Sequence, residues 1–321
     1  MNRICELALK GLKRKVWPVF FKQKQLPQIQ IPSDPQGVNT MIGDAILKGE
    51  PFMVARFGSV EMNAIANYVG VRDNPHSVLK YLKGDINEWW WNQSSISQLQ
   101  SNAGFFPITI EAVIHFGEVM SKDCQEVDIL GSWCQEEYYL RDELKNAKKV
   151  RLEDIRPDFY WKGQTPCWTQ ALKGKRVLMV HPFVETMKSQ YEKKHMLFPH
   201  RDFLPDFTLL TVKAVQSIGG TSQYDSWFDA LDYMKAEMDK VKYDVCIIGC
   251  GAYGLPLAAH AKRTGHVAIH LGGITQLMFG IRGNRWDNNE YWKPLFNEYW
   301  VRPDKKETPS TAQDVEGACY W

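Results

Sequence analysis

Residues 243–283 of this 321-residue chain read YDVCIIGCGAYGLPLAAHAKRTGHVAIHLGGITQLMFGIRG. An apolar run of strand length leads into a glycine-rich loop, a helical pattern follows, and a second apolar run ends in two further glycines. Glycines let the backbone approach a ligand closely, and a helix that begins after them points unpaired N–H groups at anions. The candidate nucleotide-binding residues in these two loops are Gly249, Gly251, Tyr253, Gly254, Gly272, Gly273, Thr275 and Gln276.

The spacing after the first loop argues against NAD as the nucleotide. A dinucleotide site expects Asp or Glu at the end of the next strand, about 20 residues on, to hold the ribose hydroxyls. His270 stands 21 residues after Gly249, and no carboxylate follows until Asp287. The same gap weakens an S-adenosylmethionine site. Two interpretations stay open: a different nucleotide, or glycines that only permit close helix–strand packing.

The amino-acid composition favours an ordinary globular protein and argues against a nucleic-acid-binding one. Hydrophobic residues make up 44% and charged residues 24% of the chain, as in ordinary globular proteins. The net charge of +2 argues against a nucleic-acid partner. Seven cysteines without a CxxC spacing favour a reduced, cytoplasmic protein without structural zinc.

Strand-length apolar runs alternate with helical patterns along most of the chain, which predicts a Rossmann-like, doubly wound α/β fold with a mainly parallel sheet. We expect a basic N-terminal segment over 1–31, a linker at 32–37, and a single α/β catalytic domain over 38–321. The C-terminal half of that domain, about 174–283, would bind the nucleotide. The predicted strands are 52–56, 127–133, 150–155, 176–182, 207–215, 244–249 and 266–272.

The first 25 residues carry seven basic side chains and one acid, Glu6, among apolar and aromatic residues. The charges rule out a signal peptide or a membrane span. The segment could form an amphipathic helix that makes a peripheral contact with anionic lipid through residues 1–25. The alternative is a solvated, frayed tail.

The motif RFGSVE, residues 56–61, follows the first predicted strand. Arg56 could neutralise a diphosphate, with Gly58 and Ser59 forming the turn beneath it. Glu61 could hold a divalent cation such as Mn²⁺ or Mg²⁺, or position a sugar hydroxyl. Alternatively, Arg56 and Glu61 form a structural pair and Ser59 caps the following helix.

The motif HPFVE, residues 181–185, follows the fourth predicted strand. His181 could contact a phosphate or hydroxyl, and Glu185 could be the general base that accepts the proton of an acceptor hydroxyl. The alternative is an ordinary acidic residue in the first turn of a helix. The run Trp89–Trp91 could similarly line a sugar cleft or pack in an aromatic cluster.

With these motifs, the chain resembles the bacterial glycosyltransferases of the GT-D fold. In that family an early strand ends in an R-F-G-D-G-E type motif, whose carboxylates are associated with a divalent metal and the donor diphosphate. Residues 56–61 match it, but Ser59 replaces the first acid, so a site with two carboxylates cannot be carried across. The family also shares the strand, glycine loop, helix and strand seen at 244–273.

The resemblance implies a glycosyltransferase of hexosyltransferase type that uses a nucleotide-diphosphate sugar. Its acceptor would be a glycan or a lipid-linked glycan of bacterial surface polysaccharide synthesis, reached in the cytoplasm at the inner face of the membrane. Two other functions stay open. They are an NAD- or flavin-dependent oxidoreductase, and a non-catalytic nucleotide- or glycan-binding partner of a biosynthetic complex.

Overall fold

A computed structural model describes residues 2–22, 24–160, 167–198, 203–217, 222–314 and 317–321. Its centre is one sheet of seven strands, all parallel, in the order β3-β2-β1-β7-β6-β4-β5. The predicted α/β fold with a parallel sheet is confirmed. The strands are β1 Phe52–Ala55, β2 Ile129–Ser132, β3 Lys148–Arg151, β4 Arg176–His181, β5 Thr208–Lys213, β6 Val245–Ile248 and β7 Val267–His270.

Thirteen α-helices accompany these strands in the described part of the chain. They are α1 Arg3–Gly11, α2 Trp17–Phe20, α3 Pro35–Lys48, α4 Ser59–Asp73, α5 Val78–Lys83, α6 Gln93–Ala103, α7 Ile110–Cys124, α8 Leu152–Ile155, α9 Val184–Tyr191, α10 Lys194–Leu197, α11 Trp227–Asp239, α12 Gly254–Arg263 and α13 Asn284–Asp287. A π-helical turn at Leu12–Val16 joins α1 to α2. Short 3-10 helices lie at Gln135–Leu140, Pro157–Tyr160, Trp168–Leu172, Gly251–Tyr253, Gly272–Phe279, Lys293–Leu295, Lys305–Glu307 and Ala312–Asp314.

The sheet is covered on both faces because alternate residues of each strand point to opposite sides. In β6, Cys246 and Ile248 belong to the core that packs with α4, α6, α7, α11 and α12. Val245 and Ile247 of the same strand belong to the opposite core, with α3 and α9. All four residues are fully buried. This is the doubly wound arrangement that the continuous apolar runs indicate.

Two sequence boundaries differ from the structure. The run predicted as one strand over 150–155 is the edge strand β3 followed by helix α8, where the Asp154 carboxylate accepts hydrogen bonds from the Ser33 hydroxyl and the Asp34 N–H. The linker predicted at 32–37 already contains the start of α3. Asp34 caps that helix by accepting the Gly37 N–H, and Pro35 begins it.

The order of strands places a reversal at the centre of the sheet. β1, β2 and β3 extend towards one edge, β4 and β5 towards the other, and β6 and β7 fill the gap between β4 and β1. In open α/β sheets, ligands bind beyond the carboxyl ends of the strands where the winding reverses. The carboxyl ends of β1, β7, β6 and β4 are therefore the expected place for a site.

Candidate active site

A cleft of about 440 Å³ lies at this carboxyl edge. Its lining includes residues at, or within two positions of, the carboxyl ends of β1, β2, β4, β5, β6 and β7, so six of the seven strands contribute to it. The end of α6 and the last two residues of the chain, Tyr320 and Trp321, complete the walls. This size suits a small organic ligand.

The RFGSVE motif forms one wall through Arg56, Gly58, Ser59 and Glu61. Glu61 lies in the first turn of α4, and its carboxylate folds back over Gly58, where the Cβ of any larger residue would collide with it. Burial raises the pKa of Glu61, while its own backbone N–H and Arg56 oppose that shift. Ser59 is exposed and begins α4, but Gly58 is the N-cap residue.

Arg56 is a positive charge without an ion-pair partner. Among the described residues, no carboxylate oxygen lies within 4 Å of its guanidinium, so a structural pair with Glu61 is not formed. Its guanidinium stands 5.3 Å from the centre of the Trp133 ring, and burial lowers its pKa. A guanidinium with free donors at a cleft wall fits an anionic ligand.

The two glycine loops form the opposite wall through Gly249, Gly251, Gly272 and Gly273. A Cβ on Gly249 would lie 2.7 Å from the Thr275 hydroxyl and 2.8 Å from the Gly272 carbonyl oxygen. The loops therefore touch each other, as close backbone approach requires. Gly272 has a φ of 67°, and a Cβ there would lie 3.3 Å from an Arg56 nitrogen.

The remaining glycine-loop residues have different roles. Gly254 is buried at the start of α12, where a Cβ would collide with the His270 ring, so it is a packing glycine and lies outside the cleft lining. Thr275 is also outside the lining and donates a hydrogen bond of 2.7 Å to the Gly272 carbonyl. Tyr253 and Gln276 do line the cleft. The Tyr253 hydroxyl lies 2.8 Å from the Ser217 hydroxyl.

Two buried histidines face the cleft. Burial lowers the pKa of both His181 and His270 to about 3, so both are neutral near pH 7. The His181 Nδ1 accepts the Phe183 N–H at 3.0 Å, which leaves its Nε2 protonated. His270 occupies the strand end where a dinucleotide site expects an acid, with its ring against Gly254.

Glu185 is not brought into the cleft. Its side chain is exposed, pairs with Lys188 at 2.8 Å, and does not belong to the lining. The N–H groups at the start of α9 are occupied as well, because Glu307 accepts hydrogen bonds from the backbone of Glu185 and Thr186. Its role as general base stays a prediction that this geometry does not support.

Several residues that line the cleft are not among the site residues predicted from the sequence. Trp133 directly follows β2, donates its indole N–H to the Phe57 carbonyl at 2.9 Å, and keeps 42% of its surface exposed. The sequence signal for Trp133 is its position at the end of a predicted strand, where ligands bind in open α/β sheets. Asn102 and Gln216 lack any comparable local signal, and they reach the cleft through the packing of α6 and the chain after β5.

The Trp89–Trp91 run lies elsewhere. Trp89 and Trp90 are buried, and each meets the Tyr81 ring edge-on, at 5.5 and 4.9 Å between ring centres. Neither these two nor Trp91 lines the cleft. The interpretation as an aromatic cluster is therefore the one that the structure supports.

The charges of the lining favour an anion. Among the described residues of the lining, Arg56 and Arg285 are the cationic side chains and Glu61 is the acidic side chain. Among the described residues, no group of three His, Cys, Asp or Glu side chains has the arrangement of a metal site. A single carboxylate beside neutral histidines does not fit a metal site built by protein ligands alone, because Mn²⁺ and Mg²⁺ favour several oxygen ligands.

The part of the chain that contains both glycine loops of the cleft matches a known protein family. The family described as GT-D fold-like domain matches residues 163–278. This part of the chain is similar to a GT-D fold-like domain. It contains β4 to β7 and both glycine loops of the cleft, whereas Arg56 and Glu61 lie outside the matched segment. No curated protein and no solved structure matches the chain.

Proposed function

We propose that this protein is a glycosyltransferase that moves a sugar from a nucleotide-diphosphate donor to a glycan or lipid-linked acceptor. The observation that supports this most is the meeting, in one cleft, of an unpaired arginine with the glycine loops of a GT-D fold-like domain. The glycine loops admit a nucleotide close to the backbone, and Arg56 supplies positive charge for its phosphates. We propose bacterial surface polysaccharide synthesis at the inner face of the cell membrane as its setting.

In the proposed reaction, the oxygen of an acceptor hydroxyl forms a bond to the anomeric carbon, and the bond from that carbon to the diphosphate oxygen breaks. Negative charge develops on the departing diphosphate, where the fixed Arg56 guanidinium stabilises it. The acceptor hydroxyl loses its proton in the same step. Glu61 is the carboxylate within the cleft, and we propose that it orients a sugar hydroxyl or receives this proton.

Trp133 offers an apolar surface at the rim of the same wall. Its indole is fixed by the hydrogen bond to the Phe57 carbonyl, while 42% of its surface stays exposed. Sugar rings and nucleobases both present faces that stack on aromatic rings. We propose that Trp133 positions the donor by such stacking.

A divalent cation would need oxygen ligands that the protein does not supply alone. Glu61 could contribute one, and the phosphate oxygens of a bound donor could contribute others, as is usual for Mg²⁺. When bound there, Mn²⁺ or Mg²⁺ would add positive charge beside the diphosphate. We therefore expect any effect of the metal to require the nucleotide.

Release of nucleoside diphosphate from a panel of nucleotide sugars, measured with Glu61→Gln and Glu185→Gln, tests the proposal. Glu61→Gln should lose turnover by about 100-fold, within the range for a general acid–base group, and should keep its fold. Glu185→Gln should leave turnover unchanged because that side chain lies outside the cleft. Unchanged turnover in Glu61→Gln would contradict the role of Glu61, and no turnover with any donor would favour a non-catalytic binding partner.

A further inference from the structure

The N-terminal segment, defined as residues 2–22, has one side packed on the body of the protein. Leu9, Leu12 and Trp17 lie against the buried cluster that contains Trp89 and Trp90. The Lys13 ammonium stands 3.9 Å above the centre of the Tyr81 ring, which is a cation–π contact. The segment is thus a docked helix, and the interpretation as a frayed tail is not supported.

Polar contacts add to this docking. Lys10 pairs with Glu88 at 3.2 Å, and just beyond the segment Lys24 donates to the Tyr138 hydroxyl at 2.8 Å. Tyr138 belongs to the 3-10 helix Gln135–Leu140, which begins two residues after Trp133 at the cleft rim. The chain just beyond the segment is therefore held against the 3-10 helix that follows Trp133.

The opposite side of the same segment is apolar and uncovered. Of the sixteen large hydrophobic side chains that are exposed in the described part of the chain, six lie in its first 21 residues. Ile4 and Leu7 are one helical turn apart in α1, and Val19 and Phe20 extend the surface beyond the π-helical turn. Phe20 keeps 72% of its surface exposed, which is unusual for an aromatic side chain without a partner.

Positive charge surrounds this apolar surface. The exposed basic side chains of the segment are Arg3, Arg14, Lys15 and Lys22. The one acidic side chain, Glu6, is neutralised by Lys10 at 2.7 Å. A surface that combines exposed apolar residues with a net positive charge complements an anionic lipid bilayer, where the apolar groups enter the headgroup boundary and the cations meet lipid phosphates.

We infer that the N-terminal segment is a docking surface for an anionic membrane, with Leu7 and Phe20 inserted and Lys15 at the headgroups. Within the described residues, no helix has the length and apolarity to cross a bilayer, so the contact is with one face of the membrane. The inference does not depend on the transfer reaction.

Co-sedimentation of the full chain with phosphatidylcholine vesicles, with and without phosphatidylglycerol, tests this inference. Leu7 and Leu47 provide a matched pair, because they are exposed by 60% and 63% and Leu47 lies on α3. Leu7→Ser and Phe20→Ser should each weaken binding to anionic vesicles roughly tenfold, since each removes apolar surface that lipid would cover. Leu47→Ser should bind like the wild type.

Charge gives a second matched pair. Lys15→Gln should weaken binding about fivefold, the effect of one cation near an anionic surface, and Lys48→Gln on α3 should not. Added salt should weaken the binding of the wild type. Equal binding to neutral and anionic vesicles, or equal losses in Leu7→Ser and Leu47→Ser, would overturn the inference.

A second copy of this chain could cover the apolar surface instead of a membrane. Size-exclusion chromatography of the same variants distinguishes these two possibilities. A dimer that Leu7→Ser converts to a monomer, without vesicle binding by the wild type, would overturn the inference. Thermal shifts with nucleoside diphosphates on Leu7→Ser keep this test independent of the proposed function. The nucleotide response should match the wild type whether or not the variant binds vesicles.

Discussion

The two walls of the cleft are built in different ways. The wall from β6 and β7 is mainly backbone, with glycines where a Cβ would meet another loop. The wall from β1 and β2 is mainly side chain, with Arg56, Glu61 and Trp133. Only the first lies in the segment that matches the GT-D fold-like family. Backbone geometry imposes a glycine pattern that is easily recognised, whereas a side-chain wall can keep its position and change its chemistry.

The side-chain wall should give the largest effect on activity. Arg56→Gln removes a cation of the cleft that has no ion-pair partner among the described residues, and turnover should fall by about 100- to 1000-fold, as for loss of one group that stabilises transition-state charge. Steady-state release of nucleoside diphosphate measures this. Arg72→Gln, at a salt bridge outside the cleft lining, is the control and should stay active.

The packing of α12 behind the backbone wall should respond in stability. Gly254→Ala places a Cβ against the His270 ring and should cost about 1 to 3 kcal/mol of unfolding free energy, as overpacking does. Gly43→Ala, in the interior of α3 with open space around it, should instead stabilise by about 0.5 to 1 kcal/mol. Urea unfolding measures both. Equal effects of the two substitutions would contradict the packing role of Gly254.

Acid should destabilise the centre of the cleft. His181 and His270 are neutral in the folded protein down to a pKa of about 3, whereas in the unfolded chain a histidine titrates near 6.5. Between these values the unfolded state binds more protons. The free energy of unfolding therefore decreases as the pH is lowered below 6.5, by about 1.4 kcal/mol per pH unit for each histidine. Urea unfolding of His270→Gln at pH 7 and 5.5 should show a shallower slope than the wild type.

The smallest effect is expected at the rim. Trp133→Ala removes the proposed stacking surface and should weaken donor binding about tenfold, within the usual range for aromatic contacts with desolvation. Isothermal titration with the donor measures the change. Trp133→Phe should recover most of the affinity. Equal losses in both variants would point to the hydrogen bond to Phe57 as the important contact instead.

The sequence predicts the strands that position this site better than it predicts the side chains that line the cleft. Six of the seven strands lie where short apolar runs place them, because a strand buried on both faces needs a continuous apolar run. The exception is the edge strand β3, which reads KKVR, has two exposed lysines and overlaps the predicted run 150–155 by only two residues. Glu185 illustrates what the sequence does not predict. Its position in the first turn of a helix is predicted correctly, but the sequence does not tell whether its side chain faces the cleft or solvent. Tyr320 and Trp321 come to the cleft from the far end of the chain, which only the tertiary packing determines.

Both walls of the cleft should bind the same nucleoside diphosphate. Thermal-shift measurements with UDP, GDP, CMP, NAD and S-adenosylmethionine, with and without Mn²⁺, test it on the wild type and Arg56→Gln, since a ligand that binds only the folded state raises its stability. We expect one nucleoside diphosphate to raise the melting temperature of the wild type and to lose that effect in Arg56→Gln. A response to NAD alone, or an equal response of both proteins to the nucleoside diphosphate, would contradict it.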